Sequence, residues 1–117
     1  MNDCIFCKIV KDEIQTNFVV QEADVVAFHD VNPLAPTHIL ITPKEHIATF
    51  LDIKSQHLEL ILKMITLSQK LIKDYNLGEA YRMVFNGGRY QHVPHLHWHL
   101  LADSTSPEAL RSKRKVV

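Results

Sequence analysis

His95-Leu96-His97-Trp98-His99-Leu100-Leu101 places three imidazoles at every second position of an otherwise apolar run. Successive side chains of an extended strand point to opposite faces. His95, His97 and His99 are therefore predicted to share one face, with Leu96, Trp98 and Leu100 on the other. The imidazoles would stand roughly 7 Å apart on a surface whose reverse is anchored in a core. Holding three rings there for packing alone would require three sets of polar partners. Imidazole near neutral pH acts as nucleophile, proton carrier or metal ligand. Two histidines at i and i+2 can also chelate an ion. The spacing by itself leaves the catalytic and metal readings open.

Upstream of this strand, Gly87-Gly88 marks a turn and residues 81–86 a fourth strand. Residues 55–75 read as one long helix, with Ser55 as N-cap and Asn76-Leu77-Gly78 as stop signal. The helix carries Leu58, Ile61, Leu62, Ile65 and Ile72 on one stripe and Leu60, Met64, Leu67 and Leu71 on another. Contact with a single sheet needs only one stripe. The stripe that includes Met64 is assigned to a partner subunit.

Residues 38–42 form a buried strand stopped by Pro43, preceded by the proline-punctuated loop Val31-Asn32-Pro33-Leu34-Ala35-Pro36. Residues 18–21 and 25–29 make a hairpin across an acidic turn, and residues 4–11 a short helix. The order of elements predicts an α+β domain: an antiparallel sheet of about five strands, one long helix and a short N-terminal helix.

The 117 residues suffice for one domain with a sizeable core. That domain is expected to span 1–103, with a flexible or partner-contacting tail over 104–117 whose Arg111, Lys113, Arg114 and Lys115 reach solvent, polyphosphate or a partner subunit, solvent being the favoured reading. Thirteen basic and thirteen acidic side chains balance, so no nucleic-acid partner is expected. No apolar run is long enough for a bilayer, and the first residues lack a secretion pattern. The expectation is a cytoplasmic protein with no membrane partner. Eight histidines are the compositional oddity.

Cys4 and Cys7 are the only cysteines. A C-x-x-C pair suggests half a zinc site, a redox pair or buried thiols. A thioredoxin-like motif would follow a strand, and none precedes this one. Without a second C-x-x-C, a zinc ion would need histidine for its other two ligands.

The run from His95 to Leu101 resembles the signature of the histidine triad (HIT) superfamily of nucleotide hydrolases and transferases. Ala27-Phe28-His29-Asp30-Val31-Asn32-Pro33, Ala35-Pro36-Thr37-His38, Pro43-Lys44-Glu45-His46-Ile47 and Tyr81-Arg82-Met83-Val84-Phe85-Asn86-Gly87-Gly88 resemble its other segments, in order. The likeness covers residues 4–101 and is nearest to the small nucleoside phosphoramidases of the microbial, zinc-containing type.

The resemblance implies a HIT-like fold and hydrolysis of nucleoside 5′-phosphoramidates or related conjugates through a nucleotidyl-histidine intermediate. It makes His97 the nucleophile, His99 the residue that helps the leaving group depart, and His38 a further polar contact. Asp30 would accept hydrogen bonds from the ribose hydroxyls. Val31, Asn86 and His92 would contact the purine nucleotide, with His92 standing where many members have serine. His29 fits the pattern and is given no role. The resemblance further implies a structural zinc on Cys4, Cys7, His46 and His95, no required catalytic metal, and a homodimer built by the long helix and the strand at 81–86. Rival readings are a dinucleoside polyphosphate hydrolase and a non-catalytic nucleotide-binding regulator. The complete set of His38, His97 and His99 favours the enzyme.

Overall fold

The computed structural model describes residues 4–103. The tail at 104–117, with its four basic side chains, lies outside them. Five antiparallel strands form one sheet in the order β1-β2-β3-β5-β4. They are β1 Phe18–Gln21, β2 Val25–His29, β3 Thr37–Pro43, β4 Arg82–Val84 and β5 Trp98–Ala102. The predicted architecture is the observed one.

Helix α2, Leu58–Asp74, covers one face of the sheet, and the short α1, Ile5–Val10, packs against the other. Alternation along the strands sorts the core. Val25, Ala27, Ile39, Ile41 and Leu100 pack towards α2, while Val26, Phe28 and Leu40 pack with Phe6 and Ile9 of α1. Both helices end with a left-handed residue, Asp12 (φ 61°) and Asn76 (φ 58°). In each the following amide reaches back five residues, Glu13 N to Lys8 O and Leu77 N to Ile72 O. That closes a Schellman cap and drops Leu77 into the core. No helix among the described residues is long and apolar enough to cross a membrane.

Three expectations are corrected. The α-helix begins at Leu58, because residues Ser55–His57 form a 3-10 turn in which His57 Nδ1 accepts the Lys54 amide. The Met64 stripe faces the chain's own sheet: Met64, Leu67 and Leu71 are buried there, with Met64 0% exposed. The unpartnered stripe is instead Leu58 (64% exposed), Leu62 (61%) and Ile65. Finally, β5 starts at Trp98 rather than His95. The ladder with β3 ends at the pair Ile41–Trp98, and two residues on, Pro43 has no amide hydrogen to continue it. Leu96 turns its amide to Ile47 O instead, at 2.7 Å.

Candidate active site and metal centre

His99 is thus the only triad histidine inside the ladder, yet the alternation survives in the extended segment before it. Leu96 and Leu100 join the core under α2. His95, His97 and His99 project towards α1, where Phe6 meets His97 edge-on at 4.9 Å and His95 at 5.9 Å between ring centroids. The His97 and His99 rings lie 5.1 Å apart. His38, on neighbouring β3, completes the group.

Backbone partners fix the ring protons, because a carbonyl only accepts and an amide only donates. His97 Nδ1 lies 2.7 Å from His95 O, so Nδ1 carries the proton and Nε2 the lone pair. His38 Nδ1 accepts the Leu34 amide at 3.0 Å, so its proton is on Nε2. That Nε2–H donates to His99 Nδ1 at 2.8 Å, with Asp30 Oδ2 beside it at 3.3 Å. His99 therefore carries its own proton on Nε2. Three rings of one residue type hold three distinct positions: a bare nitrogen, a donor and a relay between donor and carboxylate.

Burial holds the group neutral. Desolvation lowers the pKa of His97, opposed by the bond to His95 O, and that of His38, opposed by the Asp30 charge. His99 is pushed down to about 4 by burial first, and then by His97 and His38.

On the other side of His95 sits a second cluster. Cys4 is the N-cap of α1, its Sγ accepting the Cys7 amide at 3.4 Å. Cys7 Sγ lies 3.2 Å from His46 Nδ1 and 3.4 Å from His95 Nδ1, and Cys4 Sγ is 3.4 Å from His95 Nδ1. The four ligand atoms all fall within 4.8 Å of one another. A tetrahedral ion with bonds of about 2.0–2.3 Å separates its ligands by roughly 3.3–3.8 Å, so the set fits such an ion. His95 Nε2–H donates to Pro43 O at 2.8 Å, which leaves the Nδ1 lone pair facing the thiols and available to an ion. Burial pushes the Cys4 thiol up in the absence of a cation.

The other sequence-picked residues are placed unevenly. Asp30 reaches the histidines through Oδ2 while Oδ1 accepts the Asn32 amide at 2.8 Å. Val31 stands 89% exposed on the loop beside them. Asn86 is no longer in a strand, since β4 stops at Val84. Asn86 lies two residues beyond Val84–His99, the last pair of the β4–β5 ladder, and is exposed. His92 is exposed, and its charge acts on both His97 and His99. Three contributors had no signal in the sequence: the Leu34 amide, the Pro43 carbonyl and the edge of Phe6.

The chain is similar to several known proteins. A family profile described as scavenger mRNA decapping enzyme C-term binding matches residues 3–115. The purine nucleoside phosphoramidase of Escherichia coli K12 is 40% identical over 102 residues, 85% of this chain and 86% of that protein. The adenosine 5′-monophosphoramidase of Candida albicans is 39% identical over 104 residues, covering 84% and 68%. A crystal structure of a HIT family hydrolase from Legionella pneumophila superposes with a TM-score of 0.83 at 42% identity, over 86% of this chain and 92% of that one.

Proposed function

The chain belongs to the histidine triad (HIT) superfamily, and on that footing we propose that it hydrolyses nucleoside 5′-phosphoramidates or related nucleotide conjugates, with His97 as nucleophile. The observation that carries this reading is the His97 Nδ1–H bond to His95 O, which leaves the Nε2 lone pair of a ring packed beside His99 unprotonated. The phosphoramidase names of its relatives support the substrate class.

The Nε2 lone pair forms a bond to the α-phosphorus as the bond from phosphorus to the leaving nitrogen breaks. Positive charge arising on the ring is accommodated at Nδ1–H by the His95 carbonyl. The leaving amine takes the bond pair and needs one proton. An anionic phosphate in the cluster favours imidazolium, so the His38–His99 pair, beside Asp30, takes up that proton with the substrate and delivers it from His99 Nε2. Water then attacks phosphorus and returns a proton to the pair. The bond to Nε2 breaks, nucleoside monophosphate leaves and His97 is restored. Asp30, Val31, Asn86 and His92 are the residues we assign to the nucleotide, Asp30 through the ribose hydroxyls.

Zinc on Cys4, Cys7, His46 and His95 would be structural: four protein ligands close its shell and leave no position for substrate. It would tie α1 to the segment that carries the nucleophile. We assign a second copy of the chain to the open apolar groove of about 320 Å³ between α2 and β4, lined by Ile65, Ile72, Tyr81, Met83, Phe85 and Trp98. Ile65→Glu would then give a monomer by light scattering where wild type gives a dimer, because a two-fold contact repeats the charge. We place the reaction in the cytoplasm, where the C-x-x-C thiols stay reduced.

The deciding experiment is turnover of adenosine phosphoramidate against a diadenosine polyphosphate by purified protein. Release of AMP mainly from the phosphoramidate supports the proposal. Preference for the polyphosphate replaces its substrate, and no turnover of either replaces it with a binding role.

A further inference from the structure

His57 lies outside both clusters, yet it is buried and fully engaged. Its Nδ1 accepts the Lys54 amide at 2.9 Å, so the neutral ring carries its proton on Nε2. That Nε2–H donates to Glu45 Oε2 at 3.2 Å, 12 residues earlier in the chain. Glu45 immediately precedes His46.

The four residues of the metal cluster are not held equally. Cys4, Cys7 and His95 are buried, whereas His46 is exposed. His95 is steered by its own bond to Pro43 O, but His46 has no such bond at Nε2 among the described residues. Its place depends on the backbone to either side. On the C-terminal side Ile47 is buried, and its carbonyl accepts the Leu96 amide at 2.7 Å. On the N-terminal side the Lys44 amide bonds Asp24 O, and the Glu45 side chain is held by His57.

We propose that His57 is a positioning residue for the metal centre: through Glu45 it holds the segment bearing the exposed ligand His46 and thereby slows release of the bound ion. This rests on the reading of the Cys4–Cys7–His46–His95 cluster as a zinc site. Partners outside the ligand shell characteristically change metal affinity by about 10- to 100-fold. The exposed ligand is the one whose departure opens the shell, so the effect belongs to the dissociation rate.

The test is zinc release from full-length protein to excess chelator, followed with a chromogenic zinc indicator. The cobalt(II)-substituted protein reports ligand geometry by its visible spectrum. His57→Ala is expected to release zinc about tenfold faster than wild type. Glu45→Ala, a change at a half-exposed side chain, is expected to do the same and guards against a folding defect at His57. His57→Gln should restore the wild-type rate, because its oxygen accepts the Lys54 amide and its nitrogen donates to Glu45. A merely structural role predicts lowered melting temperature with unchanged release, and that result overturns the inference. So does failure of His57→Gln to restore the rate when it is folded. Wild-type protein that binds no zinc overturns the metal reading itself, and the inference with it.

Discussion

Two histidine clusters share one face of the sheet and are joined through residues 95–99, yet the far nitrogens of His95 and His38 are held in opposite ways. At His95 the far nitrogen donates to a carbonyl, and the near one turns a lone pair to two thiols. At His38 the far nitrogen accepts the Leu34 amide, so the near one carries a proton towards His99 and Asp30. Asp30, His38 and His99 also place ligand atoms within 4.8 Å of one another, so proximity alone would make both clusters metal sites. To ligate through Nε2, His38 would have to give up its proton there along with the Leu34 bond. On the proposed reading, the backbone partners of His95 and His38, rather than the density of histidines, sort a ligand set from a proton-handling set.

Exchanging one residue from each cluster should break them in opposite ways. His97→Ala is expected to lower kcat by at least about 10⁴-fold, the scale on which loss of a nucleophile acts. It should leave zinc content and nucleoside monophosphate binding near wild type, by elemental analysis and calorimetry. Cys4→Ala is expected to lose the metal and about 4 kcal/mol or more of stability. For a domain of this size that lowers the melting temperature by roughly 15 °C or more. If His97→Ala lost zinc, or Cys4→Ala kept both zinc and stability, the division between the clusters would fail.

A smaller effect comes from acid. Groups facing the His99 ring are His38, His97, His92 and Asp30. With its folded pKa near 4 against an unfolded value of 6.5, the unfolded chain binds more protons between those values. The downward shift at His38 acts with the same sign. Stability from these rings staying neutral is present above about pH 6.5 and is lost as pH falls towards 4. Thermal melts of wild type at pH 7 and pH 5 should show the loss, and His99→Gln should flatten it. Smallest of all, His38→Gln can still accept from Leu34 and donate to His99. Its kcat is expected to fall by only about tenfold, less than direct proton transfer contributes, whereas His38→Ala should cost more.

Much of this contrast was legible in the sequence. The hairpin of β1 and β2 has the expected bounds because its alternation and turn are local signals. Cys4, Cys7, His46 and His95 converge into a group that could hold a metal ion. What escaped was set by contacts distant in sequence. Met64 reads as facing a partner in sequence because two apolar stripes look alike until one is laid on a sheet. The late start of β5 follows from a proline on another strand. The tautomers depend on the Leu34 amide and on the carbonyls of Pro43 and His95, which no side-chain pattern encodes.

The central claim is that hydrogen-bond partners, most of them backbone groups, fix the proton position on each ring, and long-range ¹H–¹⁵N NMR of histidine side chains reads it directly. On zinc-loaded protein at pH 7, His97 should be the Nδ1–H tautomer with an unprotonated Nε2. His38 and His99 should be Nε2–H tautomers, and His95 should carry Nε2–H with a metal-shifted Nδ1. A His97 ring protonated at Nε2, or His38 protonated at Nδ1, would contradict the account.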